Sequence, residues 1–268
     1  MATWEFPGSE PIEMFIEIAS GSVAVSGEPA PATTVTVRSS KHGHDDPLPP
    51  EELQVSFNAG RLEIVQPKSS SWMRGRASLD VTVQAPVGSS CTLQTASADV
   101  SCVGDLAVLE ARTASGDVTA TSIRGAAAVN TASGDVWLEQ AGGAVAVRTA
   151  SGDVRLSRAG GDVAVVTASG DARIGTVGGS VTVQTASGDI EIGSVRAGEA
   201  NVKTATGDTS VGIAPGAEVY LDLSSLTGDI SSQLEESAPG ESVALRVTCR
   251  SISGDIRISR AAATADAQ

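Results

Sequence analysis

The residue type with the most regular opportunity for chemistry in this sequence is aspartate. Asp117, Asp135, Asp153, Asp171 and Asp189 recur every 18 residues, preceded by Asp99 and followed at looser spacing by Asp208, Asp229 and Asp255. A column of carboxylates can shape turns by accepting backbone N–H bonds, hold a divalent cation, or, where two or three converge, act as acid and base on a glycosidic bond. Each of the five stands fifth in a nearly identical word, Thr113-Ala114-Ser115-Gly116-Asp117-Val118 and its copies beginning at Thr131, Thr149, Thr167 and Thr185. A residue fixed at one place in a repeated word does a repeated job, which favours turn formation. Unit charges stacked roughly 4.8 Å apart repel by on the order of 1 kcal/mol in water and a few kcal/mol at an effective dielectric near 20, so backbone donors are expected to offset them. The alternative is calcium shared between coils, as in β-rolls that also repeat as paired nonapeptides. Their corner is Gly-Gly-x-Gly-x-Asp; here it is Ser-Gly-Asp or Gly-Gly-Asp, and Ala144 and Ser180 replace the acid at two Gly-Gly corners. No cofactor is therefore expected, calcium on the five aspartates being the alternative.

The remaining candidates are fewer. His42-x-His44-Asp45-Asp46 could ligate zinc or nickel, but two histidines beside Pro47-Leu48-Pro49-Pro50 read as a solvated loop. Trp72, Arg74 and Arg76 concentrate an aromatic and positive charge in an acidic chain, a composition that anchors partners. Trp137 falls at an outward strand position, in series with Thr119, Arg155, Arg173 and Glu191, whereas Leu156 falls inward. No Ser-His-Asp or Cys-His combination and no phosphate-cradling glycine loop is present, so no catalytic residue is assigned and the protein is read as a non-enzyme. A polysaccharide-acting β-helix enzyme would need carboxylates converging in a groove, which corner aspartates do not supply.

What positions these residues is the period itself. Between Ser-Gly-Asp corners lies a second turn, as at Ala141-Gly142-Gly143, Ala159-Gly160-Gly161 and Val177-Gly178-Gly179, so each period holds two strand-turn halves. Apolar residues alternate within each half, as in Val154-x-Leu156 and Val163-x-Val165. Strands this short must stack to bury a continuous apolar column. The fold class is all-β, a parallel β-solenoid with 18-residue coils of two short strands and an irregular N-terminal β cap. Residues 1–90 read as that cap, with strands near 13–18, 22–26, 33–38, 53–57, 61–66 and 78–85. Residues 91–211 read as the regular solenoid, 212–260 as C-terminal coils and cap, and 261–268 as a disordered tail. Corner glycines are expected at positive φ, and the stacked threonines as a hydroxyl ladder.

Composition agrees with an elongated stack. Aromatic residues make up 3% of 268 residues against 41% hydrophobic, so the core is built from thin aliphatic layers. A formal charge of −14 disfavours nucleic acid and anionic membranes as partners. Cys91, Cys102 and Cys249 show no metal or redox spacing and suit a reducing compartment. The N-terminus has no signal-peptide pattern and no apolar stretch reaches about 18 residues, so the expected location is the cytoplasm, without membrane insertion.

With the repeated Thr-Ala-Ser-Gly-Asp-Val words, the opening Trp4-Glu5-Phe6-Pro7 and the closing Ser253-Gly254-Asp255-Ile256-Arg257-Ile258, the chain resembles the bacterial adhesin-like β-strand repeat family, also called Toastrack-like, in a form similar to actinobacterial cytoplasmic members. The resemblance covers nearly the whole chain. It implies a β-repeat fold, no established enzymatic activity and, in some relatives, association with envelope-stress signalling; it transfers no catalytic or ligand residue. The functional expectation is a binding or scaffold protein that engages a protein partner or itself, with Trp72, Arg74, Arg76 and Trp137 as contact candidates.

Overall fold

Identical words 18 residues apart lie directly above one another. In the computed structural model, which describes residues 1–39, 53–67, 78–234 and 244–261, Val154, Arg155 and Leu156 pair in parallel with Ala172, Arg173 and Ile174, and these with Ile190, Glu191 and Ile192. The shorter strands stack likewise, Val145–Arg148 on Val163–Val166 on Val181–Gln184. Strands form all the regular structure among the described residues, and the β-solenoid expected from the period is what folds. The protein divides into two compact units, Met1–Leu138 and Glu139–Gln268, each described in turn.

A coil carries three inward groups rather than the two foreseen. Val154 and Leu156 are buried, two outward residues follow, and Ala159 is buried at the end of the same strand. Val163 and Val165 fill the shorter strand, and Thr167 turns inward at the corner. The corner is itself a narrow third run in the second unit, where Ser151, Ser169, Ser187 and Thr206 bridge coil to coil. At the Gly-Gly turns the glycines do not take positive φ. Their need is clearance: a Cβ on Gly160 or Gly178 would stand under 3.0 Å from the carbonyl oxygen of the glycine one coil below.

In the first unit the coils rest on antiparallel strands. Glu13–Gly27 runs unbroken through its corner and pairs in parallel with Arg61–Val65 and Leu79–Ala85 on one side and Ser90–Leu106 on the other. Beyond them Ala32–Ser39 lies antiparallel on Leu79–Ala85, Ala2–Pro7 antiparallel on Ala32–Ser39, and Gln54–Asn58 antiparallel on Arg61–Val65. The strand Ala2–Pro7 was not among those expected. Its Phe6 stacks on Phe57 with ring centroids 4.9 Å apart, tying the two antiparallel extensions together across the end.

The second unit ends differently. Gly198–Thr206 and Thr209–Ile213 are followed in space by Leu245–Ser253 and Ile256–Arg260, and only then by Val219–Thr227 and Ile230–Ser232. The coil that is last in sequence is therefore inserted beneath the one before it. The tail assigned to 261–268 lies, beyond Ala261, outside the described residues.

Candidate functional site

The aspartate column is built by the corners and held by the backbone. In the first unit the amide of Asp117 donates to Asp99 Oδ1 at 3.1 Å and that of Asp135 to Asp117 Oδ1 at 2.9 Å. In the second unit the bond repeats from Asp171 to Asp153, Asp189 to Asp171, Asp208 to Asp189, Asp255 to Asp208 and Asp229 to Asp255, all within 2.9–3.0 Å. Each carboxylate thus caps the amide of the next coil's aspartate, a charge-assisted bond that offsets the stacking repulsion. The second turn uses the same device where an acid is present: Ser180 N–H donates to Asp162 Oδ1 at 2.8 Å.

The other carboxylate oxygen is engaged as well. Arg155 pairs with Asp153 Oδ2 at 3.2 Å, Arg173 with Asp171 Oδ2 at 2.9 Å and Arg257 with Asp255 Oδ2 at 2.9 Å, while Arg257 also approaches Asp208 at 3.6 Å. Arg155 and Arg173 were read only as outward residues; the sequence signal for the role of all three is the spacing Asp-x-Arg. The pairs are half-exposed, so each contributes at most about 1 kcal/mol. Each places a guanidinium beside the carboxylate column. Among the described residues no three His, Cys, Asp or Glu side chains converge as a metal site.

The remaining candidates are distributed rather than gathered. Trp137 projects from Val136–Ala141 with 58% of its surface exposed, between the buried Val136 and Leu138. Trp72, Arg74, Arg76, His42 and His44 lie outside the described residues. The three thiols are buried and unpaired; burial pushes those of Cys102 and Cys249 up to about 12 and that of Cys91 well above its ordinary value, which leaves them un-ionised and unreactive at neutral pH. In the first unit Asp105 accepts from Ser122 at 2.5 Å and pairs with Arg124 at 3.3 Å, and these partners hold its carboxyl below the usual range. A shallow open hollow of about 610 Å³ is lined by Ser9, Pro29, Ala30, Pro31, Pro86 and Val87, with no titratable group on its wall.

Stacked parallel coils, in-register identical words and a carboxylate ladder bonded to backbone amides define a parallel β-solenoid repeat protein. The family model of Toastrack DUF4097 matches residues 13–238 and 143–268, and the chain belongs to that family, a domain family of unknown function. No curated protein matches it. Among solved structures it is similar to a protein described as a putative adhesin from Bacteroides fragilis, at 14% identity over 96% of both chains with a TM-score of 0.47. It is also similar to a putative cell adhesion protein from Clostridium sporogenes, at 13% identity over 97% of this chain and 99% of that one with a TM-score of 0.25. A third is a putative lipid binding protein from Parabacteroides distasonis, at 14% identity over 96% of both chains with a TM-score of 0.43.

Proposed function

We propose that this protein is a non-enzymatic binding or scaffold module that presents a rigid strand face to a protein partner. The observation that carries the reading is Trp137. A large aromatic held 58% exposed on a strand whose flanking residues are buried keeps its position without a partner and gains most from being covered by one. The corner aspartates support it from the other side, because both oxygens of Asp153, Asp171 and Asp255 are committed to holding coils together. Trp72, Arg74 and Arg76 belong to the same proposal as a second contact region. We place the protein in the cytoplasm, where its three unpaired thiols suit a reducing compartment, and in the envelope-stress setting that the family resemblance implies. The net charge of −14 supports a protein rather than a nucleic acid as partner.

The test is site-specific photo-cross-linking in the native host, with a photoreactive phenylalanine analogue in place of Trp137 and, as control, of the outward Arg112. The expected result is one discrete adduct from position 137 and none from position 112. Equal labelling from both positions, or none from either, overturns the contact face.

A further inference from the structure

Each terminal region ends on a strand that pairs on one side only among the described residues, Ala2–Pro7 in the first unit and Val219–Thr227 in the second, but only the first carries a proline and an aromatic ring stacked across the end. In the first unit Val35 and Val37 of Ala32–Ser39 are buried, Ala2–Pro7 covers that strand, and Phe6 stacks on Phe57. In the second unit the outermost strand, Val219–Thr227, pairs with Leu245–Ser253 on one side and, among the described residues, with nothing on the other. Its inward row Val219, Leu221, Leu223 is half-buried, whereas Leu245, Val247 and Cys249 directly beneath are buried.

Three further observations point to an occupant. The strand is nine residues long, contains no proline or lysine, and carries one charge, Asp222, which is paired with Arg250 at 3.8 Å; the usual guards of an edge strand are missing. The second residue of the corner word is Ala114, Ala132, Ala150, Ala168, Ala186 and Ala205 in the regular coils, but Ile252 and Leu226 in the last two, 58% and 78% exposed. Tyr220 (49% exposed, with the Arg246 guanidinium 4.6 Å above its ring) and Ile230 (45%) extend this apolar surface.

We propose that this edge is a homotypic interface in which two copies pair Val219–Thr227 antiparallel about a two-fold axis at Leu223. In that register Leu223 meets its own copy, Leu221 faces Ser225, Asp222 faces Ser224, and on the outer face Tyr220 lies opposite Leu226 of the second chain. A register centred one residue earlier would set Asp222 against Asp222, and like charges directly opposed are unfavourable. The pairing completes the ladder of backbone bonds, closes the half-buried row, and is isologous, so it stops at a dimer. It is independent of the Trp137 reading, and either can fail without the other.

The test is sedimentation equilibrium of the full chain over a hundredfold range of concentration, for the wild type, Leu226→Lys and, as control, Val108→Lys, an exposed substitution in the first unit. The expected result is a reversible monomer–dimer equilibrium, weakened at least tenfold by Leu226→Lys with an unchanged melting temperature, and unaffected by Val108→Lys. A monomer at every concentration overturns the homotypic assignment and leaves the edge to a strand from another protein. A dimer indifferent to Leu226→Lys, or an open-ended series of oligomers, also overturns it.

Discussion

The same six-letter word folds into two different corners in the two units. At Thr113 and Thr131, in the first unit, the threonine Oγ1 accepts from the amide of the glycine three residues on, at 2.9 and 3.0 Å. The alanine and serine amides between them share one carbonyl of the coil below, Ala96 for one corner and Ala114 for the other. At Thr167, Thr185 and Thr204, in the second unit, the hydroxyl instead donates to the carbonyl two residues on, at 3.1–3.2 Å. There the glycine amide reaches the next coil: Gly170 N–H donates to Ser187 O and Gly188 N–H to Thr206 O, each at 3.0 Å. Gly116 and Gly134 keep negative φ, whereas Gly170 and Gly188 stand at +138°. What the difference teaches is that one word admits two hydrogen-bonded corner forms. The first copy of the word reads Thr95-Ala96-Ser97-Ala98-Asp99, with alanine in the glycine place. Ala98 holds negative φ, as an L-residue must to avoid strain, whereas Gly21, paired with it in the coil below, stands at +120°.

Exchanging the glycine position between the two forms tests the comparison most severely. Gly188→Ala must place a Cβ at φ +138° and under 3.0 Å from the Gly170 carbonyl oxygen. Urea unfolding followed by circular dichroism should show a loss on the order of 3 kcal/mol. Ala98→Gly, at the equivalent place in the first unit, should cost no more than about 1 kcal/mol, chiefly from backbone entropy. Equal losses would mean that φ at this position does not distinguish the corners.

The threonines probe the same contrast more gently, because valine keeps their shape. Thr131→Val leaves the buried Gly134 amide without the acceptor it has in this structure, at a cost of about 1–3 kcal/mol. Thr185→Val takes one donor from the Ser187 carbonyl, which still accepts from Gly170 N–H, so about 0.5–1 kcal/mol is expected. Hydrogen exchange adds a local reading: the Gly134 amide should lose protection in Thr131→Val, and the Gly170 amide should keep it in Thr185→Val. The reverse order of losses would show that the hydroxyls do not play these separate roles.

This contrast also marks what the sequence could convey. The period, the stack and the inward rows were legible, because each coil repeats its neighbour and alternation alone assigns Leu156 inward and Trp137 outward. The carboxylate ladder was legible as a turn device, since one residue at one place in every word has one job. The corner form was not legible: the words at Thr131 and Thr167 are identical through their aspartates, yet the threonine hydroxyl accepts in one corner and donates in the other. Nor were the terminal arrangements. Asp255 donates its amide to Asp208 across 47 residues, and Phe6 finds Phe57 from a strand of another direction; neither contact follows a period. The open edge did leave a trace in the departure from alanine to Leu226 and Ile252, a signal that means little until the coil order is known.

The smallest effect is expected at a threonine that takes neither hydroxyl role. Thr149, in the second unit, has a buried hydroxyl with no hydrogen-bond partner among the described residues. It neither accepts from Gly152 nor donates to Ser151, and the Gly152 amide is already satisfied by Ser169 O at 3.1 Å. A buried hydroxyl without a partner carries its desolvation cost with no return, so removing it while keeping the branched shape releases that cost. Thr149→Val should therefore be neutral or stabilise by up to about 1 kcal/mol, while the chemically identical change at Thr131 destabilises. Calorimetry of the two variants side by side decides it: melting temperatures that fall together would show that Thr149 shares the corner of the first unit, and temperatures that part, Thr149→Val at or above the wild type, place it in neither form.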